Sequence, residues 1–197
     1  MQQRSEETRE KILAAAETLF ARQGYDAAGV AEICQAAGIS KGAFYHHFAS
    51  KQTVFQELLT AWLSQLDRQF DQILSTTQDI PTALIAMAEG TGPVFEAAGT
   101  HIRIILEYWI QAGRQPEIWE TTVAPYRRYL ERFTNLVEEA AADGAIDPGV
   151  NPRAAARLVV ALAMGMLLQS FLDPKGEVWS DVTREGMRTI LNGLSRR

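Results

Sequence analysis

VAEICQAAGISKGAFYHHFASK, residues 30–51, is the stretch whose reading decides the fold. It divides into a helix over Val30–Ala37, a tight turn at Gly38 and a second short helix over Lys41–His47. Two short helices joined through a glycine form the unit that lays a recognition helix in the major groove of DNA. Ser40 stands at the N-cap of the second helix, where its hydroxyl accepts from a free backbone N–H, and Lys41 beside that terminus favours a phosphate.

Working outward, the helical signal continues on both sides. Upstream, Ile12, Leu13, Ala16, Leu19 and Phe20 follow the 3.6-residue period, and Gly24 supplies a C-terminal stop. Downstream, Ser50 caps a long helix that carries Val54, Phe55, Leu58, Leu59, Trp62, Leu66 and Phe70, with no Gly/Ser tether behind it. Asp79-Ile80-Pro81 opens the next helix, Gly90 to Gly99 reads as a weak glycine-rich stretch, and Thr100 starts a helix through Ala112. Glu117 to Ala142 reads as one long helix in which Pro125 marks a kink or the true start. Asn151-Pro152 opens a strongly apolar helix to Leu172, and Ser180 is placed as the cap of the last. No alternating strand pattern competes. The expectation is an all-α chain of about nine helices: a three-helix helix-turn-helix head over residues 1–52 and a helical ligand-binding and dimerisation domain over 53–197.

Charge is informative only when split. Residues 1–52 hold six Lys/Arg and six Asp/Glu, so the net −5 resides in the remaining 13 bases and 18 acids. Between Glu32 and Glu57 no acid occurs, and Lys41, His46, His47 and Lys51 fill that gap. A local positive face meets phosphate while the acidic remainder limits non-specific binding. The single cysteine, Cys34, cannot form an internal disulfide, no uninterrupted run of about 18 apolar residues occurs, and the N-terminal residues lack the apolar core of a signal peptide. A cytoplasmic protein outside the membrane is expected. Nucleophile–base pairs, phosphate loops and paired acids in a defined pocket are not evident, so neither an enzyme nor a bound cofactor is expected. Adjacent helical residues such as His46 and His47 point about 100° apart and do not converge on one metal ion.

The quoted stretch resembles the DNA-binding segment of the TetR family of bacterial transcriptional regulators. The resemblance is carried by Ile33-Cys34, Ala37-Gly38-Ile39-Ser40, Gly42, Tyr45, His47-Phe48 and Lys51. It implies DNA contacts by Ser40, Lys41, Gly42, Ala43, Tyr45, His46, His47 and Lys51. His46 occupies the family's variable position and is the candidate for base discrimination, Ala43 for contact with a thymine methyl, and Lys51 for phosphate. Phe44 and Phe48, one turn apart, are expected beneath the helix as core. Cys34 stands where the family usually has alanine and reads as a small buried hydrophobe. Ala28-Gly29 replaces the family's hydroxyl residue before the second helix, which removes a cap and one phosphate contact.

The resemblance also implies a small-molecule pocket and a homodimer. Glu107, Tyr108, Trp109, Tyr126 and Met164 are the candidate pocket residues, chosen for polar tips or soft sulfur among an aromatic and methionine supply. The helix from Pro152 is apolar on more than one face, so Leu158, Leu162, Met166 and Phe171, with Met187 and Leu191 of the last helix, are the candidate interface. The expected function is a ligand-responsive dimeric repressor on a near-palindromic double-stranded operator. The rival is a helical binding or interaction module that does not touch DNA.

Overall fold

The computed structural model describes residues 2–195, with side chains at 4–92, 102 and 104–195. Nine α-helices and no strand occur among the described residues: α1 Gln2–Gln23, α2 Val30–Ala37, α3 Lys41–His47, α4 Lys51–Thr76, α5 Ile80–Glu89, α6 Gly92–Ala112, α7 Pro116–Ala142, α8 Pro152–Leu172 and α9 Trp179–Leu194. Packing gathers them into two compact units, one comprising the chain up to Leu66 with Arg103–Trp119, the other Asp67–Ile102 with Glu120 onward. This division falls away from the functional boundary placed at residue 52, because Val54, Phe55 and Leu58 on the first turns of α4 are buried with α1–α3.

The caps expected from the sequence form at most helices. Ser40 Oγ accepts from the Ala43 N–H at 3.1 Å, Ser50 Oγ from Thr53 at 3.2 Å, Asp79 Oδ1 from Thr82 at 2.7 Å and Asn151 Oδ1 from Ala154 at 3.0 Å. Two helix starts differ from the reading. α6 begins at Gly92 rather than Thr100, because a glycine inside a helix costs only about 1 kcal/mol and does not by itself end one. α9 begins at Trp179 after Val178, which offers no side-chain cap, so Ser180 lies inside the first turn. Pro125 sits within α7, which runs through it.

In the first unit, Ile12, Ala16, Phe20, Ile33, Phe44, Phe48, Val54, Phe55 and Tyr108 form the core. Its centre is aromatic: the Tyr25 ring lies 5.3 Å from Phe20, 5.3 Å from Phe55 and 5.4 Å from Tyr108. Cys34 is buried among them. In the second unit α9 packs on α5 and α8, and the far end of α4 is pinned to α7 by Asp67–Arg128 at 2.7 Å and Asp71–Arg132 at 2.7 Å. α8 is long and apolar enough to cross a membrane by length and composition, although Arg157 and Gln169 interrupt the run, and only 28% of its apolar window is buried.

Candidate nucleic-acid interface

The turn between α2 and α3 is built from Gly38, whose φ of 66° lies in the left-handed region that glycine enters without Cβ strain. Its N–H donates to the Gln35 carbonyl at 3.2 Å and the Ile39 N–H to the Cys34 carbonyl at 3.0 Å. That pair of bonds closes α2 and sets the direction in which α3 departs. Phe44 and Phe48 are buried as expected, which orients the rest of α3 outward. Lys41, Gly42, Tyr45 and His46 are exposed, Tyr45 at 57%, while Ala43 and His47 are half-buried. Gly42 is not demanded by protein packing: a methyl group there would meet only Ser40 Oγ, at an ordinary 3.8 Å.

The missing hydroxyl before α2 has a partial substitute. Glu32, in the first turn of α2, accepts from the Gly29 N–H at 3.0 Å and from the Gln23 amide at 2.9 Å. These two donors hold its carboxyl below the usual carboxylate range. Only this half of a capping box is present, since Gly29 has no side chain to return the bond.

Lys51 departs from its expected place. Its ammonium donates to the Tyr25 carbonyl at 2.7 Å and the Asp26 carbonyl at 3.1 Å, and lies 4.5 Å from the centroid of the Tyr25 ring. Burial lowers its pKa, against the opposing pull of Asp26 and Glu107. A side chain expected to extend to phosphate is engaged inside the protein, because the α1–α2 turn presents two carbonyls within its reach.

The five candidate pocket residues are not brought together in one unit. Glu107 accepts from the Tyr25 N–H at 2.7 Å, Tyr108 is 2% exposed with its hydroxyl 3.2 Å from Gln56 Nε2, and Trp109 packs against the same core. All three serve the first unit. Tyr126 and Met164 belong to the second, where the Tyr126 hydroxyl accepts from Arg157 at 3.3 Å and Met164 is exposed. A cavity of about 310 Å³ in that unit is lined instead by Arg127, Leu130, Glu131, Thr134 and Arg153.

The candidate dimer residues also divide. Leu158 is 53% exposed and Phe171 reaches the surface of α8, while Leu162 and Met166 are half-buried. Leu162 fills the space left by Gly186 on α9, where a methyl group would approach it to 2.8 Å. Met187 and Leu191 are buried inside the protomer, because the apolar stripe of α9 is covered by α5 and α8. Leu168 and Leu172, not singled out from the sequence, are exposed. Tyr25, Asp26, Glu32 and Gln111 were also missed; only Glu32, three residues after Gly29, carries a local signal.

Residues 12–58 match the family model described as bacterial regulatory proteins, tetR family. Residues 93–195, just over half of the chain, match that of the BetI-type transcriptional repressor, C-terminal. The chain is 26% identical over 199 residues to the HTH-type transcriptional regulator UidR of Escherichia coli (strain K12), covering 98% of this chain and 96% of UidR. It is 26% identical over 191 residues to the HTH-type transcriptional repressor KstR2 of Rhodococcus jostii, covering 95% and 91%. The fold is shared with the transcriptional regulator FadR from Bacillus subtilis in complex with stearoyl-CoA, at a TM-score of 0.78 and 17% identity over 94% of this chain and 98% of that one.

Proposed function

The chain belongs to the TetR family of bacterial transcriptional regulators, and we propose that it is a cytoplasmic, dimeric, ligand-responsive repressor of a near-palindromic operator. The observation that carries this reading is α3, an exposed helix bearing Lys41, Gly42, Tyr45 and His46 over a buried Phe44–Phe48 base. Residues 1–52 are the DNA-binding head and 53–197 the ligand-binding and dimerisation domain. Ser40, Lys41, Gly42, Ala43, Tyr45, His46 and His47 face the major groove and its flanking phosphates, and Lys51 braces the head behind them.

Dimerisation is supported by α8, whose Leu158, Leu168, Phe171 and Leu172 remain exposed on one apolar helix. A second copy of the same face covers them, as an isologous pair requires. Two heads then meet two half-sites one helical turn apart. Effector binding in the second domain shifts the population between head spacings, to the extent that the effector prefers one state. The relatives KstR2, a repressor, and FadR, which holds stearoyl-CoA, support repression and a small effector with an extended apolar part.

A gel-shift with the duplex upstream of the gene tests the reading. Saturable retardation that survives excess unrelated DNA is expected. Retardation equal to that of unrelated duplex, at all salt concentrations, favours a helical binding module that does not read DNA.

A further inference from the structure

The Tyr25–Asp26 segment, between α1 and α2, is held from two sides. On one side the Lys51 ammonium takes both carbonyls. On the other, Glu107 of α6 accepts from the Tyr25 N–H at 2.7 Å and lies 3.5 Å from the Asp26 N–H, while Gln111, one helical turn on, donates to Asp26 Oδ1 at 2.6 Å. We propose that Glu107 is a positioning residue for DNA binding: from α6 it fixes the α1–α2 turn, and through that turn the placement of α2 and α3.

The route from turn to recognition helix is short. Gly24 lies buried with φ of 88° directly against the Glu107 carboxylate, so the chain leaves α1 in one direction only. Three residues after Asp26, Gly29 opens α2, its N–H taken by Glu32, which Gln23 at the end of α1 also holds. α2 ends in the Gly38 turn that aims α3. A carboxylate acceptor shortens and strengthens a backbone bond relative to a neutral one, which suits a single side chain that must define a turn. No residue of this clasp lies on α3, so its effect on DNA is indirect. The proposal rests on the DNA-binding reading for its functional arm and on geometry for its structural arm.

Charge and positioning predict opposite signs, and this decides the test. Deleting an acid from a DNA-binding head, with no other consequence, raises affinity for a polyanion and leaves the protein one unit more positive. Loosening the turn lowers affinity without changing the number of phosphates neutralised. Full-length Glu107→Ala is expected to bind the labelled upstream duplex about tenfold more weakly with an unchanged salt slope, and to exchange the Tyr25 and Asp26 amides at least tenfold faster while Leu19 and Phe20 are unchanged. Glu107→Gln, which keeps an oxygen acceptor, is expected to recover part of both losses. Affinity that rises or stays level overturns the proposal, and a lowered melting temperature with unaltered affinity does so equally. Should Glu107→Ala not fold, Gln111→Ala replaces it, with a loss of about threefold expected and no loss overturning the proposal. If the wild type does not bind the duplex, the DNA-binding reading fails; unchanged exchange at Tyr25 and Asp26 then refutes the clasp on its own.

Discussion

Glu107 occupies the space that a side chain at Gly24 would need: a methyl group there would sit 2.5 Å from Glu107 Oε2. The carboxylate is able to swing aside only by abandoning the Tyr25 N–H that it holds at 2.7 Å. The glycine therefore serves two constraints at once, a left-handed φ of 88° and a close-set acceptor from a helix more than 80 residues away.

Gly24→Ala is consequently expected to cost more than Gly38→Ala. Gly38 has a φ of 66° and nothing within 4 Å of a new methyl group, so only the left-handed penalty of roughly 1–2 kcal/mol applies. At Gly24 the same penalty is joined by a broken backbone bond worth about 1–3 kcal/mol if its donor is left unpaired. Urea denaturation of the two variants checks this; equal losses would remove Glu107 from the account.

Lys51→Ala is expected to destabilise the protein by roughly 1–2 kcal/mol, a discounted value for two charge-assisted bonds at a half-buried site. The salt dependence of DNA binding should not change. A slope reduced by about one unit, with stability intact, would instead put Lys51 on a phosphate.

His46 is exposed on α3 beside Tyr45. Replacing it with alanine should relax preference at one operator position, at a cost of roughly 1–3 kcal/mol for a direct base contact. Selection from randomised duplexes measures this, and an unaltered consensus would discard the assignment.

Leu168→Glu places a charge on the exposed apolar side of α8 without disturbing the α8–α9 contact made by Leu162. Sedimentation should move from dimer to folded monomer, with helical content retained, because an unpaired charge cannot be buried in the pair. A variant that remains dimeric locates the interface elsewhere.

Glu32 makes the α2 start sensitive to acid. Its folded-state carboxyl lies below the ordinary value because Gly29 and Gln23 donate to the charged form. The stabilisation is thus complete above the unfolded pKa and is lost as pH falls through the folded one. The stability gap between wild type and Glu32→Gln should be widest near neutrality and narrow below about pH 4. A gap independent of pH would contradict the cap.

Much of the head was legible because its signals are local. The Gly38 turn, the Ser40 cap and the buried Phe44–Phe48 pair each depend on residues within a few positions of one another. Periodicity likewise identified α8 as an apolar helix, and the caps at Asp79 and Asn151 follow from side chains beside the amides that they bind. The sequence places Met187 and Leu191 on a dimer surface, whereas they are buried within the protomer, for the converse reason: an amphipathic stripe states that something covers it, and only packing shows that α5 and α8 do.

From the sequence alone, then, came the helices, their order, the helix-turn-helix and the outward set of α3, all determined by interactions between neighbours along the chain. The tertiary structure decided what Glu107, Tyr108 and Lys51 do. Their partners, Tyr25, Asp26, Phe55 and Gln56, are in part more than 50 residues distant, and a carboxylate bound to a far backbone amide leaves no periodic trace. A polar residue on an apolar helix reads equally as a ligand contact or an internal acceptor, until folding places a donor 2.7 Å away.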